Sequence, residues 1–161
     1  MIIKSPSLLY LFDFDGTISG TDDWKGFFSN AKACFQRLHF NPNKLDIRWC
    51  ILTSRPRMDR AFVNLVCVYY NLDPKEIFTG PTFTWKFKNK DEIANYKASV
   101  IKSILNQQIK MSYTPIKIEK VIYVDNDPEI TIPINSIRDG YQYIAVSVSD
   151  LLKNNYHEII L

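Results

Sequence analysis

Residues 8–17 read LLYLFDFDGT: five apolar residues are followed directly by an acidic turn that contains one glycine. A continuous apolar run of this length is typical of a β-strand buried on both faces, as in parallel sheets. Gly16 permits a tight turn right after the strand. The segment therefore predicts a central strand that delivers two carboxylates, Asp13 and Asp15, to one end of a sheet.

Strand and helix patterns alternate along the rest of the chain. Short apolar or β-prone runs predict further strands at 49–52, 76–79, 121–124 and 143–146. Apolar residues at helical spacing predict helices between these strands, over 24–38, 62–69 and 100–109, and a last helix from Ser149. Five strands alternating with helices predict a three-layer, Rossmann-like α/β fold with a parallel sheet and helices on both faces.

Bulk properties narrow the function classes. The 161 residues fit one domain, 1–161, and a hydrophobic fraction of 46% supplies a core. The net charge of +3 allows an anionic substrate but does not by itself indicate a nucleic-acid binder. Three cysteines without a CxxC motif indicate buried thiols in a reducing compartment. We find no signal peptide or membrane span, so we expect a cytoplasmic protein without a membrane partner.

Polar clusters follow three of the predicted strands: Asp13–Thr17, Thr53–Arg55 and Asp125–Asp127. Ligands of open α/β sheets bind beyond the carboxyl ends of the strands, so we expect the three clusters to meet in one site. Each cluster taken singly also fits a solvated turn. Asp13 and Asp125, however, directly follow apolar runs, and a carboxylate there needs a partner such as a hard divalent cation.

These clusters resemble the motifs of haloacid dehalogenase (HAD) superfamily phosphatases. Residues 12–17 resemble the first motif, 51–55 the second and 121–125 the fourth, so that the resemblance runs from about residue 8 to about residue 146. It implies a small phosphatase without a large cap domain. We expect the strands, numbered along the chain, to lie in the order 5-4-1-2-3.

The expected chemistry is hydrolysis of a phosphomonoester with Mg²⁺. Asp13 is the nucleophile that forms an aspartyl-phosphate, and Asp15 is the general acid and base. Mg²⁺ is expected to bridge Asp13, Asp125, the backbone carbonyl of Asp15 and a phosphate oxygen. Thr53 offers its hydroxyl and N–H to the phosphate. Ser54 is the alternative for this role, and it is also a candidate helix N-cap.

Several supporting roles stay open at this point. Thr17 is expected to hold Asp15, or to be a plain turn residue. The resemblance also implies a lysine that binds the phosphate, and it favours Lys97, which would open the helix before the fourth strand. Lys86, Lys88 and Lys90 are the alternatives. Asp127 is expected to hold a metal-bound water or Lys97, or to be a turn residue before proline, whereas Glu129 lies four residues after Asp125.

The substrate is expected to be large because the chain leaves no room for a large cap. The resemblance then implies a nucleic-acid end, a nucleotide or a protein as the substrate, unless a partner subunit lends a lid. We expect the protein to be a monomer or a homodimer. Residues 82–90 interleave aromatic side chains with Lys86, Lys88 and Lys90, which suits base stacking and phosphate pairing. The same alternation fits a half-buried strand. Arg55 is expected to grip a second phosphate, or to solvate the first turn of a helix.

Other function classes keep the same pocket. A receiver-like module would accept a phosphoryl group on Asp13 without rapid turnover, but receivers carry that aspartate on a middle strand. A phosphotransferase would pass the phosphoryl group to a sugar or alcohol. A degenerate binding protein is disfavoured because Asp13, Asp15, Thr53 and Asp125 are all present.

Overall fold

A five-stranded parallel sheet forms the centre of the molecule. The computed structural model describes residues 8–18, 48–69, 72–109 and 117–153. Its strands pair only in parallel and lie in the order β3-β2-β1-β4-β5, which confirms the predicted order. The strands are β1 (Leu8–Phe12), β2 (Arg48–Leu52), β3 (Ile77–Phe78), β4 (Lys120–Val124) and β5 (Tyr143–Val146).

Helices cover both faces of this sheet. A 3₁₀ turn (Arg57–Asp59) leads into α1 (Arg60–Tyr69), and the other helices are α2 (Lys90–Leu105), α3 (Pro128–Asn135) and α4 (Val148–Lys153). The helix predicted over 24–38 lies outside the described residues. Among the described residues, no helix has the length and apolarity needed to span a membrane.

The central strand β1 explains the three layers. All five of its side chains are at most 3% exposed. Leu8, Tyr10 and Phe12 pack in one core with residues of α1 and α4. Leu9 and Leu11 pack in a second core with residues of α2 and α3. Since successive side chains of a strand point to opposite faces, one apolar run supports both helical layers.

Two helices differ from the sequence prediction. We expected Lys97 to open a helix, but α2 begins at Lys90, because the Asn89 side chain accepts a hydrogen bond from the Glu92 N–H and caps it. The sequence predicted no helix between β4 and β5, and Asp127 was expected to hold a metal-bound water or Lys97, or to be a turn residue before Pro128. The structure has the helix α3 there, with Asp127 as its cap and Pro128 as its first residue. A proline after a capping residue favours a helix start as readily as a turn.

The stretch between β3 and α2 contains no cap unit. Residues 80–89 form neither helix nor strand, so the alternation of aromatic and basic residues there does not build the half-buried strand that was one reading of it. The stretch lies along the loop after β2: the Arg57 N–H donates to the Thr82 carbonyl over 3.0 Å, and the Met58 N–H to the Phe83 carbonyl over 3.1 Å.

Two isoleucines of α3 test this packing. Ile130 is 3% exposed in the core and Ile132 is 64% exposed. We expect Ile130→Ala to lower the free energy of unfolding by about 2–5 kcal/mol, the usual range for a buried isoleucine. Ile132→Ala should change it by less than about 0.5 kcal/mol. Urea unfolding measures both, and equal effects would contradict the assignment of the buried face.

Candidate active site

The polar clusters emerge at one edge of the sheet. Phe12 is aligned with Ile51 of β2 and with Val124 of β4, so the residues that follow leave the three strands side by side. The sheet's hydrogen bonding continues into these residues. The Asp13 N–H donates to the Val124 carbonyl over 2.9 Å, and the Thr53 N–H donates to the Phe78 carbonyl over 2.9 Å. Their backbones are therefore fixed by the sheet itself.

Lys97 lies at the centre of this edge. Its ammonium is 2.6 Å from Asp13 Oδ1, 3.3 Å from Asp125 Oδ2 and 2.5 Å from the hydroxyl of Tyr123. The lysine side chain is 2% exposed. Ala94 and Ala98 are buried on the same helix, and their small side chains let α2 approach the sheet closely. Lys97 thus reaches the strand ends from inside the core.

The buried cluster carries more negative than positive charge. Burial raises the pKa of Asp13 to about 6, opposed by the charge of Lys97 and reinforced by that of Asp125. Burial alone would lower the pKa of Lys97, but the charges of Asp13 and Asp125 raise it above its ordinary value. Lys97 therefore stays protonated, and two carboxylates share one ammonium.

Tyr123 is a site residue that the sequence analysis missed. Its hydroxyl is 2.5 Å from Asp125 Oδ2, so it donates to that carboxylate while accepting from Lys97. Burial, and then the charges of Asp13 and Asp125, raise the pKa of this hydroxyl well above its ordinary value, so it remains a donor. The sequence did contain a signal for Tyr123. It lies two residues before Asp125 at a strand end, so the two side chains point to the same face.

Asp15 lies at the mouth of the site and is paired with Arg55. The Arg55 Nε is 2.8 Å from Asp15 Oδ2, and Nη2 is 2.8 Å from Oδ1. The Asp15 side chain is 49% exposed. The pKa of Arg55 is raised, chiefly by its hydrogen bond to Asp15. Arg55 was expected to contact the substrate, but its fork is occupied by Asp15 in this structure.

Thr17 contacts Asp13 rather than Asp15. Its hydroxyl donates to Asp13 Oδ2 over 3.3 Å and accepts from the Asn126 N–H over 3.2 Å. The expectation that Thr17 holds Asp15 is therefore wrong: Thr17 faces the buried side of the turn, and Asp15 faces solvent. Asn126 also donates to the Gly16 carbonyl over 3.3 Å, which links the loops after β1 and β4.

Asp127 and Lys90 form a separate pair. One Asp127 oxygen accepts from the Glu129 N–H over 2.9 Å, and the other is 2.8 Å from the Lys90 ammonium. Asp127 therefore does not hold Lys97, and Lys90, one alternative for the phosphate-binding lysine, pairs away from Asp13. The Asp127 N–H donates to Asp125 Oδ1 over 2.9 Å, so its backbone helps to orient that carboxylate.

The loop after β2 presents Thr53 and Ser54. Thr53 is fully buried, and its hydroxyl accepts from the Arg55 N–H over 3.1 Å. Ser54 is half-buried and does not cap the helix, because Pro56 is the residue before the 3₁₀ turn. A Cβ on Gly80 would come within 3.0 Å of the Ser54 carbonyl oxygen. Glycine at position 80 therefore lets residues 80–83 pack against this loop.

The residues at this edge suit a hard divalent cation. The described residues contain no group of three or more His, Cys, Asp or Glu side chains that could hold a metal ion. Mg²⁺, however, is commonly bound by one or two carboxylates together with waters and substrate phosphates. Asp13 and Asp125 supply two such carboxylates, and the excess negative charge around Lys97 fits the binding of a cation.

Comparisons with known proteins bear on the fold. No family profile matches the sequence, and no curated protein matches it. A chain in the solved structure of a Pnkp1/Rnl/Hen1 complex has a similar fold, with a TM-score of 0.54 and 12% sequence identity. The match covers 90% of this chain and 47% of that chain, so this chain spans about half of its length. What the two share is the α/β fold.

Replacing Lys97 tests the charge balance of the cluster. We expect Lys97→Met to lower the free energy of unfolding by about 3–5 kcal/mol at pH 8, because two buried carboxylates lose their cation. The matched control is Lys102→Met on the same helix, since Lys102 is one-third exposed and its ion pair with Asp139 is 3.3 Å long. Lys102→Met should lower the free energy of unfolding by at most about 1 kcal/mol. Equal losses in urea unfolding would contradict the central position of Lys97.

Proposed function

We propose that the chain is a Mg²⁺-dependent phosphomonoester hydrolase of the HAD type, acting through an aspartyl-phosphate on Asp13. The observation that carries the proposal is the contact of 2.6 Å between Asp13 and the buried ammonium of Lys97. A carboxylate can attack a phosphate dianion only where positive charge offsets their repulsion. Lys97 offers this charge at the end of the strand where the resemblance to HAD phosphatases expects the nucleophile.

The chain's own groups account for both steps. In the first step, an Asp13 oxygen bonds to phosphorus while the bond to the leaving oxygen breaks, and Asp15, which must carry a proton at this stage, donates it to that oxygen. In the second step, water attacks phosphorus, Asp15 takes its proton, and the Asp13 carboxylate is released with inorganic phosphate. Lys97 and the Thr53 hydroxyl hold the phosphate oxygens. The Thr53 N–H, which was also expected to bind the phosphate, donates to the Phe78 carbonyl instead. Mg²⁺ held by Asp13 and Asp125 would add charge neutralisation.

The exposure of Asp15 supports hydrolysis over a receiver-like module. Asp15 is 49% exposed at the mouth of the site, whereas Asp13 is buried behind it. A leaving group and a water molecule can both reach such a carboxylate. A phosphotransferase would use the same first step with an alcohol as acceptor. The half-exposed Asp15 favours water, since the described residues form no cap that would exclude it.

The surface beside the site supports a nucleic-acid end or nucleotide as substrate. Phe83 is 68% and Trp85 55% exposed, and Lys86 and Lys88 are exposed beside them. Such side chains stack bases and pair phosphates. An open groove of about 700 Å³ runs between α1 and Phe83. Its lining contains two arginines and no acidic residue: Arg57, Met58, Arg60, Ala61, Asn64 and Phe83.

Two aspartate variants separate nucleophile from acid. We expect Asp13→Asn to abolish turnover, because an amide is a poor nucleophile. Asp15→Asn should lose roughly 10²–10⁴-fold in kcat on alkyl phosphates, the usual range for general acid–base catalysis. The loss should be smaller with an activated aryl phosphate, because its leaving group needs no proton. Steady-state and burst kinetics measure this, and wild-type rates for Asp15→Asn would reduce Asp15 to a structural residue.

Trp85 tests the substrate class. We expect Trp85→Ala to raise KM for a phosphorylated oligonucleotide by roughly 5- to 150-fold, since stacking of one base on an aromatic ring contributes about 1–3 kcal/mol. KM for an aryl phosphate should change much less. Tyr141→Ala is the matched control, because Tyr141 is also exposed but lies beside β5. An equal change on both substrates would point to a folding role for residues 80–89.

A further inference from the structure

Arg55 connects the loop after β2 to Asp15. Its Nε and Nη2 each lie 2.8 Å from a different Asp15 oxygen, which is the bidentate geometry of a planar guanidinium on a carboxylate. The two residues are 40 positions apart in the chain. The pair therefore exists only because β1 and β2 are neighbours in the sheet.

The guanidinium is itself held by groups from other elements. Its Nη1 is 3.2 Å from Asp59 Oδ2 in the 3₁₀ turn. Its central carbon is 5.7 Å from the ring centre of Phe14 and 5.0 Å from that of Phe62. The two rings also contact each other edge to face, at 6.3 Å between centres. Arg55 is thus braced by the loop after β1, by the 3₁₀ turn and by α1.

We propose that Arg55 is a positioning residue for Asp15 and does not grip the substrate. The inference rests on the proposed function, in which Asp15 moves protons at the leaving oxygen and at water. A half-exposed aspartate has rotamer freedom, and a catalytic group displaced by about 1 Å can cost 10²-fold in rate. The braced guanidinium removes that freedom by binding both carboxylate oxygens, and the second lone pair of Oδ2 can carry the proton.

The two roles of Arg55 predict different couplings. If Arg55 acts through Asp15, replacing Arg55 should not lower kcat further in a protein that already carries Asp15→Asn. If Arg55 binds a substrate phosphate, its loss adds to that of Asp15. Residues that act as one unit show such non-additivity, and a double-mutant cycle measures it.

The test is kcat on an alkyl phosphate with saturating Mg²⁺. We expect Arg55→Ala to lower kcat by about 10²-fold, and to cause no further loss when combined with Asp15→Asn. Arg55→Lys should not restore the rate, because an ammonium lacks the planar fork. Asp59→Asn, which weakens one brace by removing its charge but keeps the pair with Asp15, should lose less kcat than Arg55→Ala.

The control variant is Arg138→Ala, because Arg138 follows α3 and its Nη1 donates to the carbonyl of Asn135, the last residue of that helix. Its kcat should match that of the wild type. Independent, multiplicative losses of Arg55→Ala and Asp15→Asn, or a rise in KM alone, would overturn the inference and return Arg55 to substrate binding. If Arg55→Ala unfolds, the Arg55→Lys and Asp59→Asn cycles decide in the same way. A wild type that hydrolyses no phosphomonoester would refute the proposed function, and this inference with it.

Discussion

The rest of this site depends on the contacts that the buried ammonium of Lys97 makes with Asp13 and Asp125. Asp13 and Asp125 directly follow two adjacent strands and are buried, and unpaired carboxylates are costly in such surroundings. Lys97 reaches both of them from α2, on one face of the sheet. The small residues Ala94 and Ala98 let the helix come close enough. The parallel β1–β4 pairing and the packing of α2 together place the three charges.

The same contacts link the fold to the proposed phosphate chemistry. One ammonium does not balance two buried carboxylates, and the pKa of Asp13 is raised to about 6, chiefly by its burial. A site in this state suits the further cation that we propose, and a bound cation would make it receptive to a phosphate. Asp15 stands outside the buried cluster, half-exposed and clamped by Arg55. The two aspartates therefore differ in burial, which suits Asp13 to the proposed role of nucleophile and Asp15 to the proposed role of acid.

The sheet was predictable from sequence because its strands contain short apolar or β-prone runs. Ligands of open α/β sheets bind beyond the carboxyl ends of the strands, so Asp13, Thr53 and Asp125 could also be predicted to lie together. Helix starts were less predictable, since the caps by Asn89 and Asp127 follow from side-chain hydrogen bonds that a periodic pattern does not contain. The contacts of Thr17 and Arg55 depend on which side of a tight turn each carboxylate faces. Only the folded arrangement of the loops determines that.

The most direct test of the proposed mechanism is to trap a phosphoryl group on the protein. Wild-type protein and Asp13→Asn are mixed with a phosphomonoester and Mg²⁺, quenched in acid within one turnover, and reduced with borohydride. Reduction converts an aspartyl-phosphate to homoserine, and peptide mass spectrometry locates it. The account predicts homoserine at position 13 in the wild type and at no position in Asp13→Asn. Turnover without any modification of Asp13, or modification at another residue, would contradict it.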